Sequence, residues 1–163
     1  MSVLLPIRDG IHFAATALRS LSAQTFRDFE VVAVDDGSSD GTFDLLRAYA
    51  ATDPRVQVIR QPPRGIVAAL ETARRRARAP LLARMDADDV ALPERLARQV
   101  ERLDSDPSLA VVGCGVRIVP REGLTDGRLG YEAWLDGLRD AAALHRDLFV
   151  ECPLAHPTFV MRR

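Results

Sequence analysis

EVVAVDDGSSDGTFDLLRAYA, residues 30–50, reads as a buried strand, a turn and a helix in immediate succession. Glu30 to Val34 carries the run of Val and Ala that a strand covered on both faces requires. Asp35 to Gly41 consists of turn formers. Phe43, Leu46 and Ala50 then recur at helical spacing. The same alternation extends in both directions. Upstream, Val3 to Ile7 predicts a first strand, and Phe13, Ala17, Leu18 and Leu21 fall on one helical face. Downstream, Val56 to Ile59 is a third strand ended by Pro62 and Pro63. Ile66, Leu70, Ala73 and Ala77 mark a helix closed by Pro80, and Leu81 to Met85 is a fourth strand. Pro93 suits a first helical turn, and Leu96, Val100 and Leu103 form that helix's apolar stripe. Leu109 to Val119 predicts a fifth strand or strand pair interrupted by Gly113 and Gly115. Strands alternating with helices imply an α/β domain: a mostly parallel central sheet in a Rossmann-like, three-layer α/β/α arrangement. After Pro120 the character changes. Residues 121–130 read as a loop and 131–146 as a helix, while Pro153 and Pro157 bracket a segment ending in TFVMRR. The expectation is one domain, 1–163, with a change of role near residue 120.

Composition narrows the chemistry. The chain has 163 residues, 47% of them apolar, and 22 basic against 23 acidic residues leave a net charge of −1. No basic excess exists to favour nucleic acid. Every basic residue is Arg, and neither Lys nor Asn occurs. That excludes a P-loop, which needs Lys on the terminal phosphates, and Schiff-base catalysis, which needs an amine. Cys114 and Cys152 lack metal-type spacing and read as reduced core or near-core thiols. MSVLLPIRDG suits a first strand and not a signal peptide. No apolar run is long enough to span a bilayer. The expected location is the cytoplasm, with any membrane contact peripheral, at the inner face.

Ligands of open α/β sheets bind beyond the carboxyl ends of the strands, where strand order reverses, and those ends are loaded with charge. Strand one ends in Pro6, Ile7, Arg8 and Asp9; strand two in Asp35 and Asp36; strand three leads to Arg60 and Arg64; strand four ends in Asp86, Asp88 and Asp89. Asp35 and Asp36 suit either turn residues or ligands, and Asp40 suits a helix cap. Arg60, Arg64 and Arg74 to Arg76 read either as phosphate contacts or as solvated charge, the run as surface. Three acids in MDADD are harder to assign to structure, because like charges at the end of a buried strand destabilise it unless a cation compensates. Carboxylates with vacant positions suit Mg²⁺ or Mn²⁺, which keep waters and bind phosphates. Asp86 and Asp88 point the same way if strand geometry persists through them.

SVLLPIRDG, LSAQTFRDFEVVAVDDGSSDGT, ARMDADDVALPERLARQV and HPTFVMRR, in that order between residues 2 and 163, resemble family 2 glycosyltransferases, which have the GT-A fold. The resemblance implies transfer of a sugar from a nucleotide-diphospho-sugar, expected to be a UDP-sugar, to an acceptor hydroxyl with inversion, in polysaccharide, cell-envelope or glycoconjugate synthesis. It implies a donor site of Pro6, Arg8, Asp35, Asp36, Arg64 and Asp86, with Asp36 on the nucleobase and Asp35 supporting it. Asp88 would hold Mn²⁺ or Mg²⁺ directly, and Asp86 would touch the ribose or the metal. His156, in HPT, reads as a packed histidine at a strand start or as a contact on the acceptor or phosphate side. Tyr131 and Trp134 read as helix packing or as a platform under an acceptor ring. Arg8 and Asp9 stand where the family often has an aromatic and Asn, and a guanidinium also stacks on a base. Glu71 stands where the family often has Asn. The general base of the family comes downstream of HPTFVMRR and has no counterpart here, so the expectation is a truncated chain, a split gene or a fragment. The acceptor, whether a sugar, a lipid-linked glycan or a protein, is not read from the sequence. Two alternatives stand beside transfer: binding of nucleotide-sugar and metal without catalysis, and a haloacid-dehalogenase-type phosphatase, which also places DxD after a strand but needs a Lys.

Overall fold

The computed structural model describes residues 1–163. Six strands form one sheet: β1 (Ser2–Ile7), β2 (Glu30–Asp35), β3 (Val56–Arg60), β4 (Leu81–Arg84), β5 (Val111–Val112) and β6 (Val160–Arg162). Six α-helices connect them: α1 (Ala14–Ser22), α2 (Thr42–Ala50), α3 (Ile66–Arg76), α4 (Arg95–Ser105), α5 (Asp126–Gly137) and α6 (Ala141–Asp147). The strand order is β3-β2-β1-β4-β6-β5. The first four strands are parallel, and β6 runs antiparallel to both β4 and β5. This is the expected mostly parallel sheet, and its order reverses between β1 and β4.

The parity of the strand residues divides the core into two layers. Val3, Leu5 and Ile7 of β1, Val31 and Ala33 of β2 and Ala83 of β4 pack against α1, α2 and α4. Leu4, Val32, Val34 and Leu82 face the other way, onto Ala69 and Ala73 of α3 and the adjoining Ala77. Short alanines let α3 approach the sheet closely. Val31 to Val34 are all at most 1% exposed, as a strand covered on both faces requires.

Several boundaries differ from the sequence reading. Phe13 is 55% exposed at the N-terminal end of α1, where Ala14 takes the buried position, and Ile66 is 51% exposed because the buried face of α3 is set by Ala69 and Ala73. The strand expected over Leu109–Val119 is reduced to Val111–Val112, whose strand partner is the three-residue β6. α5 begins at Asp126, inside the expected loop, because Thr125 caps it by accepting from the Arg128 amide. The expected helix over 131–146 breaks in two, and Asp140 caps the second piece. Cys114 is exposed, not a core thiol.

Candidate active site

Everything charged at the strand ends gathers along one edge of the sheet. Pro6 explains how that edge opens. Leu4 accepts from the Met85 amide, so its polar groups face β4, and so does the position of Pro6 two residues on. The β1–β4 pairing runs only from Ser2 to Leu4, so the N–H that proline lacks has no ladder partner to lose. Beyond this point β1 and β4 separate at the place where strand order reverses.

The same parity rule sorts the side chains. Arg8 and Asp36 continue the alternation of Leu4 and Val34 onto the α3 face, and Asp86 is drawn to that side by its pair with Arg84, which continues the alternation of Leu82 in β4. Asp36 is buried there. One of its oxygens accepts from Gln61 Nε2 at 2.7 Å and the Arg64 amide at 2.9 Å; the other accepts from the Gly65 amide at 2.8 Å. Burial alone would raise its pKa, but these hydrogen bonds and the nearby Arg8 guanidinium hold it below the ordinary carboxylate value. Asp36 is therefore ionised and fixed against the start of α3. Strands lie about 4.8 Å apart, so the ends of β2 and β4, with β1 between them, are separated by about 10 Å.

Asp35 points to the opposite face and is completely buried. One oxygen accepts from the Ser38 amide at 3.3 Å and lies 3.4 Å from Arg60 Nε, while Oδ1 has no partner. Its position serves the loop and not the crevice. Arg60 is not simple solvated charge: it also donates to the Ser38 carbonyl at 3.1 Å and lies over the Phe43 ring. A second latch joins this loop to the one after β1. Asp9, with φ 48°, accepts from the Ser39 amide, and its own amide donates to Ser38 Oγ; Gly10 donates to Thr42 Oγ1 and Ile11 to Asp40. Asp40 also accepts from the Thr42 amide at the start of α2, but the N-cap itself is Gly41, so Asp40 braces the helix start from one residue before it and is not the cap read from sequence. None of these tertiary partners is visible in spacing alone.

Gly37 closes the arrangement. Its φ is 72°, and a Cβ there would lie 2.7 Å from Pro63 Cδ and 2.9 Å from Pro63 N. Gly37→Ala adds a left-handed strain of about 1–2 kcal/mol to an overlap with a rigid ring. A stability loss of about 2–4 kcal/mol is expected, measured as a fall in the urea midpoint without a change in slope.

The acid cluster departs from strand geometry. β4 ends at Arg84, and Asp86–Asp89 form a turn closed by the Asp89 amide on the Asp86 carbonyl at 3.2 Å. Asp86 and Asp88 therefore do not share a direction along an extended strand. Asp86 is engaged by Arg84, with Nε and Nη2 donating at 3.1–3.2 Å. Asp88 is exposed and Asp89 half-buried. Burial, followed by the charges of Asp88 and Asp86, raises Asp89 above the ordinary carboxylate value. No three acidic, histidine or cysteine side chains converge on one point. The donor set is nevertheless hard oxygen, and Asp88 and Asp89 have no ion-pair partner. It fits an Mg²⁺ or Mn²⁺ ion that completes its shell with phosphate and water.

Arg64 is exposed at the mouth of the crevice. Arg74 and Arg75 pair with Glu71 on the surface. His156 is exposed in a short 3-10 turn, His156–Thr158, with its ring 5.5 Å from Phe159 and edge-on to it. That turn lies beyond the end of β4, because Arg84 donates its amide to Phe159. Arg95, unassigned by the sequence reading, ties the region together by donating to the carbonyls of Arg84 at 2.9 Å and Pro157 at 2.7 Å. A cavity of about 480 Å³ lies along the same edge, between Gly113–Gly115, Asp136, Arg139 and Leu154. It is beside the acid cluster and not part of it. Trp134 donates to Asp147 at 2.9 Å and packs against Tyr131.

Comparison with known proteins supplies the context. The family model described as Glycosyl transferase family 2 matches residues 2–163. Chondroitin synthase of Escherichia coli is 33% identical over 123 residues, which are 76% of this chain and 18% of that protein. The mannosyltransferase PcManGT of Pyrobaculum calidifontis, solved in complex with GDP-Man and Mn²⁺, is 30% identical, with a TM-score of 0.67 over 71% of this chain and 35% of that one. Residues 1–349 of S. aureus TarS, in complex with UDP, are 27% identical, with a TM-score of 0.63 over 74% of this chain and 38% of that one. The chain spans 17% to 47% of the length of three curated relatives. The phosphatase alternative is not favoured by these matches, and the acid turn follows the fourth strand, not the first. No helix is long and apolar enough to cross a membrane.

Proposed function

The chain belongs to glycosyl transferase family 2, and from that premise we propose that residues 1–120 bind a nucleotide-diphospho-sugar, a UDP-sugar by preference, for transfer to an acceptor hydroxyl. The observation that carries this is the common face shared by Arg8, Asp36 and the first acid of the MDADD turn, at the point where β1 and β4 part. Arg8 covers the base or the adjoining phosphate. Asp36, already ionised, retains lone pairs for a base N–H beside those given to Gln61, Arg64 and Gly65. Asp35 and Arg60 keep the intervening loop in place. Arg64 meets the diphosphate at the crevice mouth.

Displacing a nucleoside diphosphate from an anomeric carbon builds negative charge on the leaving phosphate. Asp88 and Asp86 would hold a divalent cation, Mn²⁺ or Mg²⁺, which when bound neutralises that charge. The chain's own residues fix the nucleotide and exclude water from its base. The acceptor approaches from the side of His156 and the segment 121–163, where the cavity between Cys114 and Arg139 lies. Transfer would serve polysaccharide, cell-envelope or glycoconjugate synthesis.

Titrating UDP into the protein calorimetrically, with and without Mn²⁺, tests the donor site. Binding that tightens at least about tenfold with Mn²⁺ is expected. Equal absence of binding in both conditions would remove the proposal. A GDP titration alongside reads the base preference.

A further inference from the structure

Of the three acids in the turn after β4, only Asp86 has an ion-pair partner, and that partner comes from its own strand. Arg84 and Asp86 are two residues apart and share the α3 face. Two guanidinium nitrogens lie 3.1–3.2 Å from the carboxylate oxygens. The pair is mostly covered, with side-chain exposures of 16% and 27%. Pairs this sheltered are screened less than surface pairs. Arg84 is itself constrained. Its amide donates to Phe159, and its carbonyl accepts from Arg95, which also grips Pro157. A cation is thus already seated on one of the acids that the proposed function gives to the metal.

We propose that Arg84 is a positioning residue with two effects: it orients Asp86 toward the nucleotide, and it keeps Asp86 from capturing a divalent ion before the nucleotide arrives. The inference rests on the donor-site reading and sharpens it. With Asp86 neutralised by Arg84, bare Mn²⁺ sees mainly Asp88 and the half-buried Asp89, an incomplete shell. The diphosphate supplies the missing oxygens, so the ion and the nucleotide bind as a unit. A cell's free metal then does not occupy the crevice alone.

The test measures two affinities in the intact chain: Mn²⁺ alone, from loss of the free-ion electron paramagnetic resonance signal, and UDP in saturating Mn²⁺, by calorimetry. Arg84→Gln is expected to bind bare Mn²⁺ roughly tenfold more tightly and UDP several-fold more weakly. Opposite changes cannot come from general loosening, which weakens both. Arg84→Lys keeps the charge and loses the fork; it should hold Mn²⁺ affinity near the wild-type value while UDP weakens. If Arg84→Gln leaves Mn²⁺ affinity unchanged or lowers it, the inference is overturned. Absence of UDP binding by the wild-type chain would overturn the donor-site reading and this inference with it.

Discussion

Asp88→Asn is expected to cost at least about 100-fold in sugar transfer, or in hydrolysis of a UDP-sugar, and to abolish the Mn²⁺-dependent part of UDP affinity. The magnitude follows from removing a fixed charge partner of a developing anion, worth about 10²–10³ in rate. Asparagine keeps the shape and the neutral oxygen but removes the charge that would hold the ion. The fold should not register the change. Asp88 is exposed, and no side-chain hydrogen bond anchors it to the rest of the chain, so stability should remain within about 0.5 kcal/mol. A small gain is expected in the absence of metal, because the charge of Asp88 contributes to raising Asp89. The sign can be checked. A carboxylate whose folded pKa is raised loses stability as pH climbs above its unfolded value. Removing one of the charges responsible should therefore flatten the fall in stability on the alkaline side of that value. Unchanged activity and Mn²⁺ response, measured alongside an unchanged melting curve, would remove Asp88 from the site. Asp36→Asn makes a useful contrast: it weakens the cradle at the start of α3 as well as the nucleotide, so its melting curve should move.

This contrast also marks where the sequence was legible. Strands and helices up to α4 announce themselves because a parallel strand buried on both faces must be uniformly apolar, as Val31 to Val34 are. Their ends are equally legible, because acids and glycines cannot continue such a strand. The charged strand ends that hold Arg8, Asp36, Asp86 and Asp88 follow from that logic, while their donor-site role is what the family resemblance implies. The region after β4 resists it. Leu109–Val119 looks like a strand, but its strand partner β6 is three residues long and pairs with only two of them. The antiparallel placement of β6 depends on Arg95 and Gln99, whose side chains reach Pro157 and Thr158 some 60 residues away. Periodicity carries no information about such contacts. The turn at Asp86–Asp89 is a related case: the spacing of the acids is visible, but not whether the strand continues through them. Arg60 reads as a phosphate contact or as solvated charge, and Arg84 carries no reading at all, until their partners are placed.

Gln24→Ala is expected to be the most destabilising single change outside the apolar core, by about 3–5 kcal/mol. Gln24 is completely buried just after α1. The two N–H groups of its Nε2 are shared among the carbonyls of Ser20 at 3.2 Å, Ala91 at 3.3 Å and Leu92 at 2.8 Å, and its Oε1 accepts from the Leu96 amide at 3.0 Å. One side chain thus satisfies the start of α4 and the segment leading out of the acid turn. Truncation leaves a void and several buried polar groups unpaired, each worth about 1–3 kcal/mol. Gln24→Glu separates volume from hydrogen bonding. It preserves the shape but turns an oxygen toward three carbonyls, so the acid is favoured only when protonated. Its folded pKa should rise above the unfolded value of about 4.3, and its stability deficit should widen as pH increases through that window. Ser20 Oγ reinforces the same joint by accepting from the Ala91 amide at 3.1 Å. Because this joint anchors residues 91–96, loosening it should broaden the conformations of Asp86–Asp89 and weaken Mn²⁺-dependent UDP binding by less than Asp88→Asn does. Thermal unfolding of Gln24→Ala and Gln24→Glu across pH 4–8, with calorimetry on the folded fraction, measures both effects. Wild-type stability in Gln24→Ala would show that α1 and α4 are held together by apolar packing alone.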